Sequence, residues 1–192
     1  MDYFAHDQLI KPERGDLLIS EPYLPDPNFE RTVILLCEHD DNGTFGFVLN
    51  KQANASLPDL IQEAGDFDSD VFVGGPVQQN TLHFLHRSAQ NFSQDRKIVE
   101  GVYWGVDFDQ VLSAINLNQI SKEELKFFVG YSGWSPGQLM EEMEAKSWLV
   151  YKKATPELVF HPNPEALWQE VLQNMGGKYK AISNYPLDPR LN

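Results

Sequence analysis

Residues 31–50 read RTVILLCEHDDNGTFGFVLN, and this stretch sets the architecture of the chain. From Arg31 to His39 the apolar residues occupy both faces, which is typical of a central strand in a sheet that is covered on two sides. Asn42-Gly43 favours a tight hairpin turn, because both residue types tolerate positive φ. Thr44 to Asn50 then returns as the partner strand. The stretch therefore predicts a β-hairpin at the centre of the fold.

Strand and helix signals alternate irregularly along the rest of the chain. Short apolar runs predict further strands, at 17–20, 71–73, 81–87, 97–104, 126–130 and 147–152. Capping residues and apolar stripes with a 3.6-residue period predict helices, which follow Ser56, Asp107, Ser135 and Asn163, and a single turn is predicted after Thr155. Because uniform βαβ alternation is missing, the pattern predicts one α+β domain with a mixed sheet and three to four helices.

Three details of the helices and the C-terminus follow from local residue chemistry. Ser135 is expected to cap its helix, with Pro136 at the first helical position, where a missing N–H costs nothing. The pair Gly176-Gly177 is expected to end the last helix. The polar residues 178–192 are expected to form an extended tail of the same domain, which covers 1–192.

The chain is strongly acidic. Its 192 residues include 15 Lys and Arg against 28 Asp and Glu, for a formal net charge of −13. A protein that binds a nucleic acid duplex needs a cationic face to displace counterions from phosphates, so direct nucleic acid binding is not expected. The first eleven residues lack the pattern of a secretory signal, and no apolar run approaches the length of a bilayer span. We therefore expect a cytoplasmic protein without a membrane segment.

Reactive side chains are scattered along the sequence. Cys37 is the only cysteine, which excludes an intramolecular disulfide and a cysteine metal cluster, and its apolar surroundings predict burial. The turn around Ser132 is similar to a nucleophile elbow, but Trp134 stands where that motif requires glycine. The helix after Ser135 carries several glutamates, among them Glu142, and these are expected to form a solvated face. No cofactor and no metal site is predicted.

Several short motifs occur together and point to a known family. They are Asp26–Arg31 (DPNFER), Glu38-His39, Gly46–Lys51 (GFVLNK), Gly74–Val77 (GGPV), Leu85-His86, Gly130–Leu139 (GYSGWSPGQL), Trp148-Leu149 and Asp188-Pro189. With them the chain resembles the AlgH/YqgE family over essentially its whole length. The resemblance implies a bacterial α+β domain whose mixed sheet is bifurcated or partly barrel-like. The family is labelled a transcriptional regulator but has no recognised DNA-binding motif and no agreed catalytic residues, so none is transferred.

The first functional hypothesis is a non-enzymatic regulatory or interaction protein that acts through a protein or small-molecule partner. Turn-rich segments beside aromatic and polar residues predict a groove for that ligand or partner. Its predicted members are His39, Asn50, Gly74, Gly75, Pro76, His86, Trp134 and Gln138. The alternative is a small hydrolase or metal-assisted enzyme in which His39 or His86 is the general base beside a carboxylate.

Overall fold

The computed structural model describes residues 10–87 and 92–186, and the following statements concern these residues. They form ten strands, β1 (Leu17–Ser20), β2 (Val33–Asp40), β3 (Gly43–Val48), β4 (Gln52–Ser56), β5 (Asp70–Val73), β6 (Val77–His86), β7 (Arg96–Val99), β8 (Val102–Gly105), β9 (Leu125–Trp134) and β10 (Trp148–Tyr151). They also form six α-helices, α1 (Leu57–Leu60), α2 (Phe108–Asn116), α3 (Gln138–Glu144), α4 (Pro156–Val159), α5 (Pro164–Met175) and α6 (Gly177–Ile182).

The predicted central hairpin is confirmed as β2 and β3, but its turn lies at Asp41 and Asn42, and Gly43 is the first residue of β3. The two strands pair antiparallel from Ile34 opposite Val48 to Asp40 opposite Gly43, with a bulge near Cys37. Residues of β2 alternate between two hydrophobic cores, because Leu35 packs in one core and Ile34 in another. Cys37 is 1% exposed, as its apolar neighbours predict, and burial raises the pKa of its thiol.

The sheet is mixed and branches at β9. Its main path runs β10-β1-β2-β3-β9-β6-β8-β7, with all of these neighbours antiparallel. One edge of β9 pairs with β6, whereas its other edge is divided between two strands. Phe127–Val129 pair with β5 in parallel, and Ser132–Trp134 pair with β3 antiparallel. The α+β class and the bifurcated sheet expected from the resemblance are therefore confirmed.

The sheet also curls, but it does not close. In the strand order, β3 and β8 are separated by β9 and β6, and yet Phe45 of β3 stacks on Trp104 of β8 with ring centroids 4.8 Å apart. An ion pair between Arg96 and Glu38 joins β7 and β2, which are the outer neighbours of β8 and β3 in the strand order. Side-chain contacts join the two sides of the curl. Among the described residues, no ladder of backbone hydrogen bonds connects them.

Three helices cover three separate hydrophobic cores. The largest core lies under α5, which contributes Leu167, Trp168, Val171 and Leu172. A second lies under α2, where Asp107 caps the helix as predicted by accepting a hydrogen bond from the backbone N–H of Gln110. The third lies under α3 and contains Trp134 and Trp148. In the part of the chain that is described, no helix is long and apolar enough to cross a membrane.

Several local predictions need correction. The described residues contain six helices instead of three to four. Helix α3 begins at Gln138 and not at Pro136, because Ser135 to Gly137 form a turn in which the backbone N–H of Gln138 bonds to the carbonyl of Ser135. The predicted strand 97–104 is two strands, β7 and β8, joined by a turn at Glu100 and Gly101.

The first residues of the predicted extended tail are helical instead. Residues 177–182 form helix α6, because Ile182 is buried and Tyr179 packs on the core under α5. The polar composition of residues 178–192 as a whole gives no sign of these two apolar contacts. Gly176 ends α5, and Gly177 starts α6 instead of terminating the preceding helix. The rest of that prediction, residues 187–192 with Asp188-Pro189, lies outside the described residues, as does most of the N-terminal segment that lacks a secretory pattern.

We expect Gly75→Ala to lower the free energy of unfolding by about 3 kcal/mol, since a methyl group at this position would lie 2.2 Å from the carbonyl group of Tyr131 on β9. Gly137→Ala is the matched control, because Gly137 also has positive φ but has open space around it. Its expected loss is about 1 kcal/mol, from backbone strain alone. Urea unfolding of both variants measures the difference, and equal losses would contradict the close approach at Gly75.

Candidate functional site

A groove of about 710 Å³ opens where the β2–β3 turn meets the segment between β9 and α3. We call it the acidic groove. Its lining includes Glu38, Asp40, Phe45, Tyr131, Trp134 and Pro136. The C-terminal part of β9 pairs with β3, and Thr44 lies directly opposite Trp134. This pairing brings the two sides of the groove together.

The half-buried rings of Phe45 and Tyr131 line the acidic groove, and the rings of Trp104 and His83 pack against them outside its lining. The Phe45 ring lies 4.8 Å from the rings of both Tyr131 and Trp104, and 6.2 Å from that of His83. We call these four residues the aromatic wall. Burial lowers the pKa of His83, so its ring is held neutral at neutral pH. The wall therefore offers uncharged π surface beneath an acidic rim.

Carboxylates form one rim of the acidic groove. Asp40 is exposed and its Oδ1 accepts a hydrogen bond from the backbone N–H of Asn42 at 2.7 Å, which orders the hairpin turn. Glu38 is ion-paired with Arg96, whose guanidinium lies 5.2 Å from the Trp104 ring centroid. The rim and the aromatic wall are thus connected through one arginine.

His39 lies beside this groove. Its Nδ1 is 2.7 Å from the hydroxyl oxygen of Thr44, the residue paired with Trp134. Among the described residues no carboxylate bonds to the His39 ring, and none contributes to a cluster of three or more metal-ligating side chains. The structure therefore places His39 and Trp134 in one neighbourhood, as the sequence predicts.

Trp134 and Gln138 meet at a residue that the sequence analysis missed. The indole N–H groups of Trp134 and Trp148 both donate to Oε2 of Glu142, at 2.9 and 2.8 Å. The side-chain amide of Gln138 donates to Oε1 of the same carboxylate at 3.0 Å. Phe29 packs against both indoles. Glu142 was expected on a solvated face. The i, i+4 spacing of Gln138 and Glu142 is the one feature of the sequence that indicates their contact. The same spacing is common in ordinary pairs on helix surfaces.

Gly74, Gly75 and Pro76 form the turn between β5 and β6. The carbonyl of Gly74 accepts hydrogen bonds from the Val48 N–H at 2.9 Å and from the Ser132 hydroxyl at 3.0 Å. Ser132 is fully buried, so its hydroxyl serves this junction and not a substrate. Gly74 and Gly75 are buried, whereas Pro76 is exposed. The two glycines thus let the backbones of β5, β3 and β9 approach one another.

Asn50 has a structural position away from the acidic groove. Its Oδ1 accepts the backbone N–H of Val33 at 2.9 Å, and its Nδ2 donates to the carbonyl of Arg31 at 2.9 Å. The amide therefore continues the ladder beyond the end of β3 and fixes the entry to β2. Neither atom is directed at a ligand.

His86 lies far from the rest of the predicted groove. It pairs with Leu125 at the start of β9, whereas Trp134 is at the end of that ten-residue strand, so roughly 30 Å separates them. Its Nε2 is 2.8 Å from Oδ2 of Asp95, but the residue is 1% exposed and does not line the acidic groove. Burial lowers the pKa of His86, against an opposing contribution from Asp95. The eight predicted residues therefore do not form one groove.

Comparison with known proteins now identifies the family. A model described as AlgH-like matches residues 17–180. The chain belongs to the AlgH-like family. An AlgH-like relative from Cytophaga hutchinsonii, named a UPF0301 protein, is 46% identical over 180 residues, which are 93% of this chain and 98% of the relative. Another UPF0301 protein, from Chlorobium limicola, is 39% identical over 97% of this chain and 99% of its own.

Two solved structures share the AlgH-like fold. The crystal structure of a protein from Corynebacterium diphtheriae superposes with a TM-score of 0.80 at 22% identity, over 96% of this chain and 98% of its own. The solution structure of AlgH from Pseudomonas aeruginosa superposes with a TM-score of 0.71 at 27% identity, over 92% and 98%. The family resemblance seen in the sequence is thereby confirmed, while none of these names states a biochemical activity.

We expect Glu142→Ala to destabilise the protein by about 3 kcal/mol, because it leaves two buried indole N–H groups without their acceptor. Glu142→Gln keeps an acceptor oxygen and is expected to cost about 1 kcal/mol. Glu144→Ala, at an exposed position of the same helix, is the control and is expected to change stability by less than about 0.5 kcal/mol. Denaturant unfolding followed by tryptophan fluorescence measures the stability of all three variants. Similar values for Glu142→Ala and Glu144→Ala would show that the two indoles do not depend on Glu142 as their acceptor.

Proposed function

We propose that this AlgH-like protein is a non-enzymatic interaction protein that binds a basic segment of a protein partner in the acidic groove. One observation carries the proposal, namely that the half-buried rings of Phe45 and Tyr131 line the same groove as the carboxylates of Glu38 and Asp40. A regulatory role would then be exerted through the partner. Direct contact with DNA is disfavoured by the net charge of −13.

The chemistry of the groove suits arginine and lysine side chains. A cation over an aromatic face gains about 0.5–2 kcal/mol, depending on how far it is desolvated. Carboxylates at the rim add charge-assisted hydrogen bonds to the same cation. The ion-paired Arg96 above Trp104 already shows this combination inside the protein, with Glu38 as the carboxylate. A partner's arginine would find the same two features at Asp40 and Tyr131.

The overall charge supports the same class of partner. A net charge of −13 attracts basic segments over distances up to about a Debye length, near 10 Å at moderate salt, and speeds their encounter. Acidic partners and free anions are repelled by the same field. The acidic groove is therefore expected to select by charge before it selects by shape.

The geometry offers less support for the alternative, an enzyme that uses His39 or His86. A general base needs both a nucleophile or substrate within reach and a group that orients the ring. His39 contacts Thr44 but, among the residues described, has no orienting carboxylate. His86 has the carboxylate of Asp95 but is almost completely buried. Neither histidine combines all the required parts.

A photo-crosslinking residue placed at Ser135, an exposed position in the lining of the acidic groove, is expected to capture a partner in the native cell through a peptide rich in Lys and Arg. The same residue placed at Leu117, which is 62% exposed, is the positional control. Equal capture at both positions, or an acidic captured peptide, would contradict the proposal.

The captured peptide, made synthetically, then tests the charge argument by fluorescence anisotropy. Glu38→Gln with Asp40→Asn is expected to weaken its binding at least tenfold, since two rim charges are lost. The pair Glu63→Gln and Asp109→Asn removes the same charge from exposed positions outside the acidic groove and is expected to change binding less than threefold. Equal effects of the two double variants would show that only net charge matters and would overturn the assignment of the site.

A further inference from the structure

A second cleft, of about 520 Å³, shares no lining residue with the acidic groove. We call it the lysine cleft. It lies where the beginnings of β5 and β9 meet the end of β6 and the connection between α4 and α5. Its walls include Phe72, Leu125, Phe160 and Pro162, so an apolar ligand body would find contacts there.

Lys126 lines this cleft and is the most deeply buried lysine among the described residues, with 4% of its surface exposed. As the second residue of β9, it pairs with Leu85 of β6, and alternation along the strand places its side chain on the same face as Phe128. Leu85 and Phe128 both belong to the core under α5. The side chain therefore runs along the border of that core.

The amine of Lys126 has no hydrogen bond or ion pair in the part of the chain that is described. The Phe72 ring centroid lies 3.9 Å from Nζ. A permanently charged ammonium in such a place would be costly without an anionic partner. The usual structural role of a buried lysine, pairing with a carboxylate, is thus not seen here.

Burial lowers the pKa of Lys126 to about 7, with Asp70 acting in the opposite direction. At neutral pH a lysine with a pKa near 7 is a free amine far more often than a surface lysine with a pKa near 10.4, of which about one in 2,500 is uncharged. Only the uncharged amine is nucleophilic. The lysine cleft therefore presents a reactive amine under ordinary conditions.

Carboxylates outnumber cations around the lysine cleft. The charged and titratable groups that line it, besides Lys126, are Asp68, Asp70, Arg87, Lys122, Glu123, Glu157 and His161. They come from the beginning of β5, the end of β6, the turn before β9, and α4 with the segment after it. With four carboxylates against two permanently charged cations, the cleft disfavours an anionic ligand, and its apolar walls suit a neutral one.

We propose that the lysine cleft captures small neutral aldehydes, and that Lys126 binds them covalently as a Schiff base. The Nζ lone pair attacks the carbonyl carbon and forms the N–C bond of a carbinolamine. The C–O bond then breaks, and the oxygen leaves as water with the two hydrogens that the amine supplied. The product is an imine, so the step involves no oxidant or reductant and reverses when water returns.

The test treats the folded wild-type protein with benzaldehyde and sodium cyanoborohydride, which reduces any imine to a stable N-benzyl-lysine, and maps the modified peptides by mass spectrometry. At pH 7.4 Lys126 is expected to react at least tenfold faster than Lys122, an exposed lysine of the same cleft. Between pH 6 and 9 the rate at Lys126 is expected to level off above about pH 7, while the rate at Lys122 keeps rising.

Lys126→Arg is expected to abolish this fast modification, and Lys153→Arg, at an exposed position outside the lysine cleft, is the matched control that should leave it unchanged. The wild-type peptide map decides the matter even if Lys126→Arg does not fold. Lys126 reacting no faster than Lys122 would overturn the proposal. The same holds if Lys126 reacts only at the rate of global unfolding, since the amine would then be closed to ligands in the native state.

Discussion

The close approach of three backbones at Gly74, Gly75 and β9 is the constraint on which the rest of the structure depends. The carbonyl of Gly74 receives bonds from Val48 and from the Ser132 hydroxyl, and its N–H donates to Val129. Side chains at the two glycines would collide with Gly130 and Tyr131. Without this junction β9 could not share one edge between β5 and β3, and the sheet would not branch.

The branch also sets where ligands can bind. Because β9 is ten residues long and serves both arms of the sheet, its two ends are exposed to different surroundings. At its C-terminal end, Tyr131 and Trp134 line the acidic groove beside the β2–β3 turn. At its N-terminal end, Lys126 lines the lysine cleft beneath α4 and α5. One strand thus supplies residues to two sites of different chemistry.

Two charged side chains at these sites, Glu142 and Lys126, differ in whether they have hydrogen-bond partners. Glu142 accepts hydrogen bonds from two indoles and one amide, so its carboxylate fixes the inner side of the acidic groove. Lys126 has a ring beside it and no such partner within the described chain, so its amine is free to react. A carboxylate that accepts hydrogen bonds from buried donors is costly to remove, whereas an unpaired buried amine favours its neutral, nucleophilic form.

The sequence by itself determined the central hairpin, the α+β class, the family and the burial of Cys37, because apolar periodicity, an Asn-Gly turn and short glycine-tryptophan motifs are local signals. Only the tertiary structure decided which of the predicted site residues meet. Asn50, Gly74 and His86 all belong to short motifs of the sequence, yet each has a structural role. Asn50 extends the β2–β3 hydrogen bonding, Gly74 lets three backbones meet, and His86 forms a buried pair with Asp95. Glu142 and Lys126 resemble ordinary surface charges in the sequence. Their roles depend on contacts with residues of other strands and helices, and no spacing along the chain encodes how a branched sheet brings those residues together.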